Sequence, residues 1–391
     1  MSRTIVEVHA LQTVPPSNVN RDDTGSPKTA TFGGKRRARV SSQAWKRATR
    51  LAFDDLLDRS ELGVRTKRIV ELVAESIVAS APDLVEQATD LAERVIKATG
   101  LVLKPASRAR AGEEAPRQEA TYLVFLSRKQ VDLLAAKAIE AARTGDVDAA
   151  LKAAKLKGLL NTEHSVDVAL FGRMVADVTD FNVDAAAQVA HAISVHAVDN
   201  EFDYFTAVDD VKHASEDEDA GAGMIGTVEF NSSTLYRYAT VDVDLLHHNL
   251  GDDDRATTRA VQAFVRAFVE SMPTGKQNTF ANRTLPDAVV VTVRDTQPVN
   301  LVGAFEDAVV ADGGTTRLQL AGRRLGERAT EVAQMLGQRP VRTWLVGVGG
   351  ARAGLESGWA TGDGTDAEWT TLPGLYDAVA QVVETRVGEA S

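Results

Sequence analysis

An α+β fold is expected for this 391-residue chain: a helix-backed antiparallel sheet that carries a large helical insertion. Three observations point to it. Runs rich in β-branched residues occur at 4–14, 226–246 and 287–294, and amphipathic helical stripes lie at 42–58 and 255–272. Roughly 165 residues, mostly helical by pattern, separate the first helix from the second strand, far too many for a loop.

Taken in order, "TIVEVHALQTV" (4–14) places Val6, Val8 and Ala10 on one side of a strand. In 42–58, Trp45, Ala48, Ala52 and Leu56 form the apolar stripe of a helix. Helical patterns at 66–80, 83–99, 130–142 and 147–160 fill the insertion, and "KPASRARAGEEAPRQEA" (104–120) reads as a mobile loop. Residues 212–223 are acidic and glycine-rich and read as a flexible tip. Two strands are then predicted in 226–246, joined by a polar turn at Asn231–Thr234. Val261, Phe264, Val265, Phe268 and Val269 share a face of the helix 255–272. A buried strand at 287–294, a helix near 315–336, a strand at 340–348 and a helix near 373–388 complete the chain. The order β–α–(insertion)–β–β–α–β is that of a ferredoxin-like, or RRM-like, sandwich.

Composition excludes several functions. There is no cysteine, hence no disulfide, thiolate nucleophile or Cys-based zinc or iron–sulfur site. Glu7 and His9 interrupt any apolar core near the N-terminus, so no secretory signal is expected. No uncharged apolar run approaches the roughly 18 residues of a membrane span, and the expected location is the cytoplasm.

Charge is the most telling feature. Residues 20–50, "NRDDTGSPKTATFGGKRRARVSSQAWKRATR", hold nine Lys or Arg against Asp22 and Asp23, a local +7 in a chain of −11. Gly33-Gly34 precedes "KRRARV", and Ser41 or Ser42 is the natural N-cap of the helix that follows. Gln43, Lys46 and Arg50 project from one side of it, and the helix start adds N–H donors suited to phosphate. Lys46 and Arg50 repel each other by about 0.2–0.5 kcal/mol unless an anion lies between them. Together these features describe an anion cradle; the alternative is a solvated basic face paired with carboxylates elsewhere.

Other motifs are weaker. "MPTGKQNTF" (272–280) is not a P-loop, because Glu270 occupies the first glycine position and Gln277 follows Lys276. It remains open whether this loop donates to phosphate or to another subunit. The seven histidines form no chelating pattern, so neither a metal nor another cofactor is expected. Asp22 and Asp23 could hold a divalent ion and cleave a phosphodiester, or cap a turn. Tyr204 and Phe205 in "FDYFTAVDD" (202–210) could stack on bases or form a small local core.

"VNRDD" (19–23), "FGGKRRARVSSQAWKRA" (32–48), "ALFGRM" (169–174) and "DYFTAVDD" (203–210) resemble, in order and spacing, the CasC-type backbone subunits of the type I-E CRISPR Cascade, a family of the RAMP superfamily. The resemblance covers essentially the whole chain. It implies an RRM-like palm (1–60 and 227–391), a helical fingers insertion (61–198) and a thumb hairpin (199–226). It also implies several copies stacked along a CRISPR RNA, with target DNA engaged through guide pairing, other Cascade subunits alongside, and cleavage left to a recruited helicase-nuclease. RNA contacts implied in the palm are Arg21, Lys28, Ser41, Gln43, Lys46 and Arg50. Met174 in the fingers and Phe205 and Thr206 in the thumb match positions that separate or displace bases; Lys276 and Gln277 are added to this set. No catalytic residue is expected. A related RAMP type cuts RNA with an Asp in this early loop, which keeps a metal-dependent endoribonuclease using Asp22 or Asp23 as the alternative. The acidic tip "EDED" (216–219) departs from the family and could face a neighbouring subunit.

Overall fold

The strand character of the N-terminal segment is realised over Ile5–Ser17 (β1), which lies inside a large mixed sheet. The computed structural model describes residues 3–106, 117–175, 179–207, 224–359 and 367–390. The chain divides into two units: Met1–Ala52 with Val189–Thr240 and Phe264–Val379, and Phe53–Gln188 with Val241–Ala263 and Ala380–Ser391.

The first unit holds the sheet. Thr29–Phe32 (β2) and Lys35–Val40 (β3) form an antiparallel hairpin at one edge. From the other edge the path runs Ala367–Trp369, Arg342–Gly347, Ala288–Arg294, β1, Met224–Asp242, Ala192–Ser194, β3 and β2. Ala367–Trp369 is parallel to its neighbour, whereas β1 and Ala288–Arg294 run antiparallel from Ile5↔Arg294 to Leu11↔Ala288. Off this path, Glu201–Ala207 pairs antiparallel with the first part of Met224–Asp242.

Several sequence expectations change. The two strands predicted within 226–246 are one continuous strand, Met224–Asp242. Its polar run, buried except at Ser232, does not turn, because distant partners satisfy it: Asn231 donates to Asn200 Oδ1 at 3.2 Å, and the Thr234 N–H donates to His196 Nε2 at 3.1 Å. The basic segment before the first helix, to which the sequence assigns no strand, is the β2–β3 hairpin. The helix predicted over 42–58 ends at Ala52 (α1, Ser42–Ala52), and a 3-10 turn, Phe53–Asp55, follows. An unexpected glycine-rich helix occupies Gly349–Gly358, a composition whose intrinsic helix propensity is poor.

Both sheet faces are buried. On one, Trp45 and Ala192 pack with Val14, Val19, Ala38, Val40 and Leu235. On the other, Tyr236 and Tyr238 pack with Leu11, Val290, Phe305, Leu320 and Leu345. That second face also carries Glu7, fully buried, which accepts from Arg294 Nε at 2.5 Å, Thr292 at 2.9 Å, Tyr238 at 3.0 Å and the Val299 N–H. Burial pulls the neighbouring His9 imidazole down to about 4.

The hairpin tip explains its two glycines. Gly33 and Gly34 have φ of +55° and +69°, the left-handed pair that a two-residue turn of matching twist requires. A Cβ at Gly33 would sit 1.7 Å from the Glu306 carbonyl oxygen, whereas one at Gly34 would meet nothing within 4 Å. Gly33→Ala should therefore cost about 2 kcal/mol or more, and Gly34→Ala only about 1. Urea unfolding of the two variants checks the difference; equal costs would mean that the tip is not seated on Glu306.

In the second unit, Ile69–Ser80, Ala88–Thr99 and Arg128–Ala142 pack through Val73, Ile77, Leu91, Val95, Leu134 and Ala138. Gly63–Thr66 pairs with Val124–Ser127. The ends of the predicted loop 104–120 belong to a paired ribbon, Leu103–Pro105 with Gln118–Ala120, and its centre lies outside the described residues. The helix predicted at 147–160 stops at Ala153; Lys155 turns left-handed at φ +47°, and a 3-10 segment, Leu156–Asn161, follows. Among the described residues no helix is long and apolar enough to cross a membrane.

Candidate nucleic-acid interface

The basic segment folds as a loop, a hairpin and a helix start held together by polar side chains. Asn20 is the joint. Its carbonyl accepts from the Lys28 N–H at 2.9 Å, and its Oδ1 accepts from the Ser41 N–H at 2.9 Å, fixing the start of α1. Ser41 is the cap: its Oγ accepts from the Ala44 N–H at 3.3 Å. This role and its burial make Ser41 a residue that aims the first-turn N–H groups.

The cations separate into two kinds. Arg37 is fully buried and donates to the carbonyls of Ser194 (2.9 Å), Phe305 (3.0 Å) and Glu306 (2.8 Å), so it holds the hairpin. Arg21, Lys35, Arg36 and Arg47 are exposed, while Lys28, Arg39, Lys46 and Arg50 are half-buried. Gln43 is exposed one turn from Lys46. Burial alone pushes the Lys46 ammonium down from its ordinary value. Arg21, Lys28, Lys35, Arg36, Arg39, Lys46 and Arg47 form no ion pair with a carboxylate among the described residues. The alternative of a basic face neutralised by the chain's own acids finds no support in these residues.

Asp22 has a local occupation. Its Oδ1 accepts from the Thr24 N–H at 2.9 Å, the Thr24 hydroxyl at 2.7 Å and the Ser26 N–H at 3.0 Å, and these bonds hold its carboxyl below the usual range. Asp23 beside it is exposed.

The loop of Lys276 and Gln277 abuts the same segment. A Cβ at Gly275 would lie 2.0 Å from the Val19 carbonyl oxygen, so only glycine lets this loop approach so closely. Lys276, left-handed at φ +50°, and Gln277 are both half-buried.

The root of the hairpin formed by Glu201–Ala207 and the start of Met224–Asp242 is tied to the basic loop. Glu229 accepts from Ser26 Oγ at 2.8 Å through one oxygen and from Asn200 Nδ2 at 2.9 Å through the other. Asn18 donates to the carbonyls of Gly25 (3.0 Å) and Glu229 (2.9 Å). Phe205 pairs with Gly226 four residues from Glu201, roughly 13 Å along the strand at about 3.3 Å per residue. Strand alternation puts Phe202, Tyr204 and Thr206 on one side and Phe205 on the other. These aromatics are exposed, 67% for Phe202 and 63% for Tyr204, which favours a surface over a small core. The acidic tip, 212–223, lies outside the described residues.

Met174 belongs to the other unit and is 86% exposed between two anchors. Arg173 is buried and donates to the carbonyls of Phe181 (2.7 Å) and Leu160 (2.6 Å); burial pulls its guanidinium down to about 10. Val175 is buried on the other side, its N–H donating to Asn182 Oδ1 at 2.7 Å. The flanks thus force the methionine outward.

Sequence reading missed Asn18, Asn20 and Glu229, which build the site without touching solvent charge. Their signal was non-local: Glu229 meets Ser26 across 203 positions. Glu229→Ala should weaken binding of a phosphate polyanion by about 1 kcal/mol through a loosened loop, leaving the salt-dependence slope unchanged because no phosphate contact is removed. A salt series on the variant checks this; a shallower slope would mean that a cation was displaced as well.

The fold is similar to that of chains of CRISPR RNA-guided surveillance complexes. This chain is similar to a chain of a CRISPR RNA-guided surveillance complex, pre-nicking, at 34% identity, covering 97% of this chain and 100% of that one with a TM-score of 0.80. It is also similar to a chain of a CRISPR RNA-guided surveillance complex at 30% identity, covering 97% and 99% with a TM-score of 0.68. The family model of CT1975-like proteins (Cas_CT1975) matches residues 6–363, and the chain belongs to that family. The resemblance read from the sequence is thereby borne out. No curated protein matches the chain.

Proposed function

We propose that this chain is a guide-RNA-binding backbone subunit of a type I-E Cascade, several copies of which line a CRISPR RNA in the cytoplasm. The observation that carries the reading is that Arg21, Lys28, Lys35, Arg36, Arg39, Lys46 and Arg47 pair with no carboxylate among the described residues, in a chain whose net charge is −11. Arg21, Lys28, Lys46 and Arg50 neutralise phosphates, Gln43 and the helix start donate to them, and Lys276 and Gln277 extend the groove. Met174, Phe205 and Thr206 act between bases. The guide is held by its backbone, so target DNA is read by pairing while protein reads shape. The strand order Ala288–Arg294, β1, Met224–Asp242, Ala192–Ser194 is 4-1-3-2 of a ferredoxin-like sandwich, which supports an RRM-like palm. In the same reading the fingers, expected over 61–198, end before the palm strand Ala192–Ser194, and 199–226 is the thumb.

We propose no catalytic step for this chain; cleavage falls to a helicase-nuclease recruited by the whole complex with its other subunits. Three donors on Asp22 Oδ1 support a turn-capping role over metal ligation. Purification with and without a co-expressed guide RNA tests the proposal: the absorbance ratio and mass should report several copies per RNA. A monomer without RNA in both cases overturns it. Periodic Mg²⁺-dependent cutting of complementary RNA, lost in Asp22→Ala or Asp23→Ala, would overturn the non-catalytic part.

A further inference from the structure

His191 stands at the junction where β3 ends and α1 begins. The pairs Arg39↔Ile193 and Val40↔Ala192 bring the strand Ala192–Ser194 alongside β3, and His191 precedes that strand on the side where Ser41 starts the helix. It is exposed, and its Nδ1 lies 3.3 Å from the Arg39 guanidinium Nη1. Arg39 Nε is anchored on the Thr29 carbonyl at 3.1 Å, and the Arg39 N–H donates to the Lys28 carbonyl at 2.9 Å. Three groups able to carry positive charge, Lys28 from the loop, Arg39 from β3 and His191 from the adjoining segment, therefore converge beside the capped helix start.

We propose that Lys28, Arg39 and His191 form a proton-linked phosphodiester site, His191 taking up a proton when a backbone phosphate of single-stranded RNA binds. The inference rests on the guide-RNA reading and adds a residue and a regulation to it. The charged groups acting on His191 are Arg39 and Lys28, and among the described residues no carboxylate acts on it. Partial burial and these two cations hold the imidazole below its ordinary 6.5, so free His191 is neutral at pH 7. A phosphate placed among the three reverses the local field, favours the imidazolium and turns the Nδ1 acceptor into a donor. Because the proton is bound in the complex and not in the free protein, affinity rises as pH falls through the window around and below 6.5. The sign is fixed: binding with proton uptake strengthens in acid.

The test uses the full chain and a radiolabelled single-stranded RNA in filter binding at pH 8 and pH 6, with ionic strength held constant. Wild-type affinity should rise about fivefold towards pH 6, short of the tenfold per pH unit that one proton permits. His191→Gln should match the wild type at pH 8 and lose the rise. His191→Lys, with a fixed charge, should bind tightly at both pH values. A wild-type rise preserved in His191→Gln, or a His191→Gln loss that is equal at both pH values, overturns the proposal and makes His191 a brace for Arg39. An RNA that is not retained at either pH overturns the guide-RNA reading itself.

Discussion

Replacing Lys46 and Arg50 together with alanine is expected to flatten the salt dependence of RNA binding by about 1–2 units, at roughly 0.7 per neutralised single-strand phosphate. Between 50 and 200 mM salt the wild type should then lose about sevenfold more affinity than the double variant. Both residues sit on α1. Its buried side is Trp45, Ala48 and Thr49, so residues 43, 46 and 50 lie on another side of the helix. Two like charges one turn apart repel by about 0.2–0.5 kcal/mol, a cost that an anion between them would remove. Burial presses the Lys46 ammonium towards its neutral form, and an adjacent phosphate would oppose that pressure. An unchanged slope would remove both residues from the interface, whatever happened to the affinity at one salt concentration.

Local features were legible in the sequence and non-local ones were not. The strands Ile5–Ser17 and Ala288–Arg294 and the helices Asp254–Glu270 and Arg317–Leu336 follow from apolar periodicity within their own windows. The charge of the cradle was likewise visible, since all its cations lie within 31 consecutive residues. The β2–β3 hairpin was hidden because "KRRARV" reads as solvated: nothing local reveals that Arg37 is fully buried on three distant carbonyls. The polar run Asn231–Thr234 reads as a turn until Asn200 and His196 are known to meet it in the sheet. Glu7 and His9 read as breaks in an apolar segment, yet both are core residues whose partners lie more than 200 positions away. His191 was seen only as one of seven histidines that chelate nothing.

The support beneath the cradle gives the second large effect. Arg237 is buried, its guanidinium carbon 3.6 Å from the Trp45 ring centroid and 4.5 Å from that of Phe268. It donates to Gln12 Oε1 at 2.6 Å and to the Phe268 carbonyl, and burial pushes its pKa well down. Its planar group fills the layer between α1 and the sheet, so Trp45 rests on it through a desolvated cation–π contact worth about 2 kcal/mol. Arg237→Ala should cost about 3–5 kcal/mol, because it removes that contact, opens a cavity and strands the Gln12 acceptor. Arg237→Met keeps length and apolar contact without the burial of a charge, and should cost less than half as much. Hydrogen exchange resolved along the chain separates local from global effects: α1 amides should lose protection in Arg237→Ala before those of Ala288–Arg294. RNA affinity should fall with them, since Lys46 and Arg50 are only as well placed as the helix that carries them. Equal exchange in α1 of both variants and the wild type would mean that Trp45 is held by its aliphatic neighbours alone, and that the arginine is a passenger in the core.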